Sequence, residues 1–580
     1  MKKLLINLVL VIFCSFIFAQ EALKSIEEEY YDFLSLTGVV ERPALGYRTL
    51  SDSVWLFNEV ESFEENEDGT FSKVRISGEE CSGHIWKNNN LGTTYTLWKP
   101  AQPAENPFAK GLKQGLTARI YGPEWFNSYN TAIPYGQNDG ALWQGRGYNT
   151  SFTAGMRLEG YGFELTFKPM ACWSQNQAFE YIKPNYQAFD ADGNPTIYFG
   201  KASDYGYYGV AFVDAPQRFG EDSFWTFDWG DTEVRYTWNT FTVGFGTQSI
   251  WLGPAKLNPI IHSNNAASYP KIDIGLRKTK LSMPYFGWDL GCLEARGWWG
   301  KLTESDWFDN DETNNDNLIT GLSFNYQFPF LKELTFSFNR TMLSKFDDIC
   351  AYTLFDIFVP FMEAKAGSDN SDGRASVSLD YKNSIIGLDV YLEWGRNDFQ
   401  SASGNFLRYP FHTQGWTAGI IKTFTINNYL TGEINIELTE LGCSQDYGRT
   451  YKWFSTFYAH HLITQGYTNR GQWLAAGIGT GGNSQYFGIN LYYPKGFAKI
   501  YINRINPDLD YAWFINTHEE TTWASELTTY MNFGLDIAHY LNKHLVFETA
   551  INPICVLSPN AEFGTKAWNL NLNLAVKTMF

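Results

Sequence analysis

Along much of the chain, apolar and polar residues alternate one by one. At the C-terminus Trp568, Leu570, Leu572, Leu574, Val576, Thr578 and Phe580 share one face, while Ala567, Asn569, Asn571, Asn573, Ala575 and Lys577 share the other. A period of two predicts a strand, not a helix. An almost wholly apolar face ending in a terminal aromatic suits the closing strand of a membrane barrel, which shows hydrocarbon to lipid and polar groups to a wet lumen. The bland alternative is the last strand of a soluble sandwich. The same scheme recurs upstream: Phe152, Ala154, Met156 and Leu158 alternate with Ser151, Thr153, Gly155, Arg157 and Glu159. After a turn at Gly160 to Gly162, Phe163, Leu165 and Phe167 oppose Glu164, Thr166 and Lys168. The segments Ile386 to Trp394 and Leu430 to Leu438 put Asp389, Tyr391, Glu393, Glu433, Asn435 and Glu437 on the polar side.

That polar side separates the two folds. Closely spaced charges of both signs are expected where side chains face each other across a lumen, not on the outside of a sandwich. Scanning from Gly115 to Phe580 predicts about eighteen strands at roughly 26 residues each, enough for about ten residues in the membrane plus loops. The expected fold is therefore all-β, a transmembrane antiparallel barrel. A barrel of that size leaves an aqueous interior unless something fills it. The N-terminal region and long loops such as Ser174 to Gly230 are the available plugs.

The ends divide the chain. Lys2 and Lys3, an apolar run from Leu4 to Phe18 and a small Ala19 predict a secretory signal peptide over residues 1–19. In Glu21 to Leu36, Leu23, Ile26, Tyr30, Phe33 and Leu34 form a helical stripe that Gly38 stops. Its polar face is rich in Glu, which favours packing against protein over lying on a membrane. Residues 20–105 are expected to be a small, partly helical periplasmic cap, and 106–580 the barrel. No later stretch is long and apolar enough for a spanning helix: Ala351 to Met362 is too short and carries Asp356, so a packed loop or short helix is expected there.

Composition agrees. Only 18% of residues are charged while 17% are aromatic, with 51 Gly, 35 Tyr and 21 Trp, as interfacial aromatic girdles and strand bends require. Removing Lys2 and Lys3 with the leader leaves 42 basic against 62 acidic residues, a net charge of −20, which disfavours nucleic acid. The cysteines left after cleavage (Cys81, Cys172, Cys292, Cys350, Cys443 and Cys555) are scattered, with no CxxC and no His at zinc spacing, so no metal site is expected. Gly477, Gly479 and Gly482 match a dinucleotide fingerprint in form, but strand pattern on both sides supplies no helix N-terminus for a phosphate. Neither GxSxG nor HExxH occurs, and His460-His461 near Ser455 reads as a histidine pair in a loop or lumen. Neither an enzyme nor a cofactor is expected.

Several short blocks carry a resemblance. They are Trp251-Leu252-Gly253-Pro254 followed by Ile260 to Ala266 and Pro270; Asn138 to Gly147; Glu393 to Asp398; and Gly466-Tyr467-Thr468 with Arg470-Gly471-Gln472. Together they resemble the capsule assembly protein Wzi family. The resemblance implies an outer-membrane barrel with a helical periplasmic segment that holds capsular polysaccharide at the cell surface. A sugar offers an apolar face and a rim of hydroxyls, so its site needs aromatic planes and paired polar groups. Trp143, Arg146, Trp251, Asn264, Asn265, Tyr467, Arg470 and Gln472 are the right types; the competing reading is that these blocks shape the barrel itself. The Gly-flanked Arg146 and Arg470 are the expected holders of an acidic sugar's carboxylate, since a guanidinium binds one with two parallel hydrogen bonds. The expected partners are surface polysaccharide and outer-membrane lipid, with the protein a monomer. A passive porin would use the same wall and is the alternative.

Overall fold

The computed structural model describes residues 25–65, 71–77, 93–102, 106, 108–109, 112–182, 203–207, 213–309, 315–358, 371–397, 411, 413–427, 429–444, 457–460, 463–510 and 526–578. The leader, Cys14, Cys81, Ser455, His461 and Phe580 lie outside them.

Eighteen antiparallel strands close on themselves. The first nine are β1 (Leu116–Asn130), β2 (Gly147–Gly160), β3 (Phe163–Phe167 continued by Met170–Ser174), β4 (Phe224–Asp228 continued by Glu233–Trp238), β5 (Phe241–Gly246), β6 (Lys271–Ser282), β7 (Asp289–Thr303), β8 (Asp316–Gln327) and β9 (Leu334–Lys345). The others are β10 (Ser371–Asn383), β11 (Leu388–Asn397), β12 (Gln414–Asn427), β13 (Leu430–Glu440), β14 (Asn483–Tyr493), β15 (Gly496–Asn506), β16 (Thr529–Asn542), β17 (Leu545–Leu557) and β18 (Lys566–Thr578). Each pairs with its neighbour in sequence, and β18 pairs with β1 from Asn571 opposite Asn130 to Lys577 opposite Glu124, so the wall has no open edge there. Strands β3 and β4 are interrupted at the same height, where Pro169 cannot donate a ladder bond. The lower part of β1 extends beyond β18 and is covered by the strand Thr93–Trp98.

The alternation read in the sequence is the wall's inside and outside. In β18, Asn569, Asn571 and Lys577 are buried while Trp568, Leu572 and Leu574 are exposed. In β11, Asp389, Tyr391 and Glu393 are buried and Val390 and Leu392 are exposed. Lipid-facing apolar residues and lumen-facing polar ones account for both rows. Hairpin connections alternate in length: 161–162, 384–387, 428–429, 494–495 and 543–544 are short, whereas 131–146, 247–270, 441–482 and 507–528 are long. In outer-membrane barrels the long loops face outward and the short turns face the periplasm.

Inside the wall lies helix α1 (Ile26–Leu36), with Ser25 as its N-cap accepting from the Glu28 amide. Its stripe of Tyr30, Tyr31, Phe33 and Leu34 packs on Tyr492, Phe497, Tyr540 and Val546 at the short-turn end. The Glu-rich face meets cations of the wall: Glu27 holds Lys577 at 2.7 Å and Glu29 holds Lys499 at 3.0 Å. The Ala351 to Met362 segment contains the five-residue helix Ala351–Phe355.

Candidate functional site

A loop that runs through the inside of a barrel carries backbone amides that must find acceptors. The wall supplies them. Glu294 on β7 accepts from the amides of Leu45, Gly46 and Tyr47 at 2.7–3.0 Å, and Glu437 on β13 accepts from those of Lys256, Leu257 and Asn258 at 2.6–3.1 Å. Inward charges also pair with one another across the strands: Arg157 with Glu164 (2.6 Å), Glu164 with Arg277 (2.8 Å), Arg277 with Asp52 (2.8 Å), Asp52 with Arg296 (3.2 Å) and Arg296 with Asp273 (2.7 Å). This ladder ties the N-terminal segment to the wall through Asp52.

The blocks singled out in the sequence are, for the most part, what fills the lumen. Trp251-Leu252 forms a short antiparallel pair with Tyr47-Arg48, and the Arg48 guanidinium lies 5.5 Å from the Trp251 ring. Gly253 turns there at φ +79°, with the Glu393 carboxylate 3.1 Å from where a Cβ would sit. Asn265 accepts from the Asn138 amide (2.9 Å) and donates to the Trp473 carbonyl (3.0 Å), so three loops meet at one side chain. Tyr467 donates to the Ile261 carbonyl (2.8 Å), and Ser263 donates to the Ala475 carbonyl (2.7 Å). Arg470 and Gly471, at φ +49° and +78°, are the two central residues of a tight hairpin between Thr468–Asn469 and Gln472–Trp473, the φ > 0 pair that a type I′ turn demands. Asp214 clamps two further segments by accepting from Ser305 and from the Gly471 amide. His262 bonds the Ile250 and Ser263 carbonyls and the Tyr269 hydroxyl, and burial lowers its pKa to about 3, so it stays neutral.

Two of the cavities that remain adjoin the 131–146 loop. The outer one, about 350 Å³, lies among the long loops and is lined by Tyr135, Trp143, Tyr181, Tyr207, Trp473 and Tyr530 with Gln137, Gln144, Gln217, Asn265 and Gln472. The inner one, about 250 Å³, lies between α1 and the loops and is lined by charged and amide groups, among them Glu28, Asp32, Arg48, Lys256, Lys382, Asn490 and Asn573. Tyr135, Gly136, Gln137, Asp139 and Gln144 line both, so the 131–146 loop is the floor of one and the roof of the other. Tyr135 pins this partition to Asn532 on β16, and Gln144 donates to Asp139 at 2.8 Å. Burial pushes Asp139 up to about 7, against that hydrogen bond.

Of the residues expected to bind a glycan, the outer cavity gathers Trp143, Asn265 and Gln472. Trp251 (1% exposed) lines the inner cavity from within the plug, Tyr467 (0%) lies inside the plug, and Asn264 faces a separate cavity of about 30 Å³. Arg146 points its guanidinium at the carbonyls of Thr131 and Ala178, while Arg470, 45% exposed along its side chain, lies beside lining residue Gly471 and 3.9 Å from Asp228. Tyr135, Tyr181, Gln217 and Tyr530 also line the cavity, brought in from four separate stretches that carry no shared pattern. Gln144, next to Trp143, and Trp473, next to Gln472, are neighbours within reach of the sequence.

A family model for the capsule assembly protein Wzi matches residues 133–535, most of the chain and all three plug loops. The chain belongs to the Wzi family. Among solved structures, Wzi of Escherichia coli, an outer-membrane protein involved in group 1 capsule assembly and described as a carbohydrate-binding β-barrel, superposes with a TM-score of 0.51 at 10% identity, covering 79% of this chain and 84% of that one. OprB of Pseudomonas putida (9% identity, TM-score 0.35, 80% and 94% covered) and OpdK of Pseudomonas aeruginosa (8%, 0.35, 80% and 98%) are more distant matches. No curated protein matches the chain. In this Wzi-family chain the blocks at 138–147, 251–270 and 466–472 are the plug, whose hydrogen bonds are made mostly to one another and to the wall.

Proposed function

We propose that this protein retains surface or capsular polysaccharide at the outer face of the outer membrane, without catalysis, by seating a stretch of glycan in the outer cavity. The single observation that carries the reading is the presence of an unsatisfied donor and an unsatisfied acceptor on residues of that cavity's lining. The Trp143 indole N–H and the Gln144 amide oxygen are both buried without a hydrogen-bond partner. Buried polar groups are normally satisfied, and a sugar hydroxyl both accepts and donates, so hydroxyls of a seated glycan can answer these atoms. The surrounding tyrosines and tryptophans offer faces to the apolar side of a pyranose, and Arg470, next to lining residue Gly471, is the cation proposed for an acidic unit. A lumen occupied by α1 and three loops supports retention over free diffusion. On this reading the chain is exported with cleavage after Ala19, acts as a monomer, and residues 20–105 serve the periplasmic end.

The test is Trp143→Phe, which keeps a ring and removes the N–H. Binding of purified barrel to surface polysaccharide from its own cells should weaken about five- to tenfold, the worth of one hydrogen bond of about 1 kcal/mol, with the heat-modifiable folded band unchanged. Unaltered affinity with an intact barrel would reject the site.

A further inference from the structure

Outward-facing residues of β7, β8 and β9 fall in lateral rows: Lys301, Leu318 and Ser344; then Trp299, Thr320 and Met342; then Gly297, Leu322 and Arg340. Lower on the same face Phe324 is 39% exposed, as a lipid-facing residue should be, yet Leu318 is 4% and Thr320 1% exposed. The segment after β9 covers them. Residues 346–358, a short 3-10 turn, the five-residue helix Ala351–Phe355 and a second turn, fold back down the outside of the barrel instead of rising away from it. The Trp299 indole donates to the Leu354 carbonyl at 2.8 Å, and Phe358 packs at a tilt against the Trp299 ring, 6.0 Å between centroids, and fills the hollow left by Gly297. Arg340, an arginine on the lipid side, donates to the Ile357 carbonyl at 3.2 Å. Lys301 sits 4.9 Å over the Phe346 ring and pins the start of the segment.

Having buried Thr353 and Ile357 against the wall, the segment turns Ile349, Tyr352, Phe355 and Phe358 outward at 41–58% exposure. Arg340 lies five residues below Lys345, roughly 16 Å along the strand and about 12 Å in depth at a tilt near 40°. An arginine at that depth is costly unless its donors are satisfied and hydrocarbon is kept off it. We propose that residues 346–358 form a flap embedded in the outer leaflet, which seats lipid acyl chains on Ile349, Tyr352, Phe355 and Phe358 and shelters Arg340 beneath. The occupant follows from continuity: the flap's apolar face extends the lipid-facing wall on either side of it, and Asp347 and Asp348 remain exposed at its upper end. The inference rests on the barrel's lying in a membrane and is independent of the glycan reading.

Two measurements test it. In a background with the other cysteines changed to Ser, nitroxide labels at native Cys350 and at Phe355→Cys, read in lipid nanodiscs, should collide more often with oxygen than with an aqueous nickel complex, by several-fold at 355. A nickel preference at both sites would overturn the embedding. Phe355→Glu should lower the midpoint of heat unfolding in nanodiscs, and Arg340→Leu should remove most of that deficit because no buried charge is left to shelter. An undiminished deficit in the Arg340→Leu background would overturn the sheltering role.

Discussion

Asp32 on α1 is the point at which the plug's charge is balanced. Lys256 lies 2.9 Å from its carboxylate, and Arg48, Arg42 and Lys382 lie at 3.6, 3.7 and 3.8 Å. Burial alone would raise its pKa, but Lys256, Arg42, Lys382 and Arg48 hold it well below the usual carboxylate range. At an effective dielectric of 20 each contact near 4 Å is worth about 4 kcal/mol gross. Much of that is offset by the desolvation of five ions, so the number that matters is the cost of leaving four cations around a neutral amide. Removing one partner of a buried ion pair costs about 3 to 5 kcal/mol. Asp32→Asn should therefore destabilise the plugged barrel by about that amount, measured by urea unfolding in detergent followed by near-ultraviolet circular dichroism. Lys256→Met in the same chain should recover part of the loss, because the closest of the four cations is then gone. A change under about 1 kcal/mol, or a double variant as poor as the sum of the two single ones, would refute the reasoning.

The other predictions concern pH and conductance. Burial raises Glu28, aided by Asp32, and also Asp139 and Asp214, each to about 7. Below about pH 4 these groups are protonated both folded and unfolded; from there to pH 7 only the folded protein keeps the proton. Their contribution to stability is thus greatest in acid and is lost as pH rises through 7, while Asp32, depressed, loses its contribution as pH falls below 4. Thermal unfolding from pH 3 to pH 9 should show a maximum in the weakly acidic range, and a maximum above pH 8 would contradict these assignments. In planar bilayers the intact protein should conduct weakly, since α1 and the 131–146 loop stand in series; deleting residues 26–58 should raise single-channel conductance only to the limit set by that loop, and large, steady channels from the intact protein would favour a porin.

Period-two alternation determined the wall. It needs only strand geometry and the contrast between lipid and lumen, both of which act residue by residue, so β2, β11, β13 and β18 were legible one strand at a time. The stripe of α1 was legible for the same local reason, and the Glu-rich face that argued against a membrane surface meets Lys499 and Lys577 inside the barrel. The cavities were not legible. Trp251 and Tyr467 have the chemistry of sugar-binding aromatics, and only the meeting of loops far apart in the chain buries them, while Trp143 and Gln144 are left with unsatisfied atoms at a cavity. Nor does sequence distance indicate that the Glu437 carboxylate caps amides at 256–258, or that residues 346–358 fold over Trp299 and Arg340. A side chain's type is fixed by the sequence, but whether its polar atoms are satisfied depends on which distant backbone reaches it, and that is decided only when the barrel closes around its own loops.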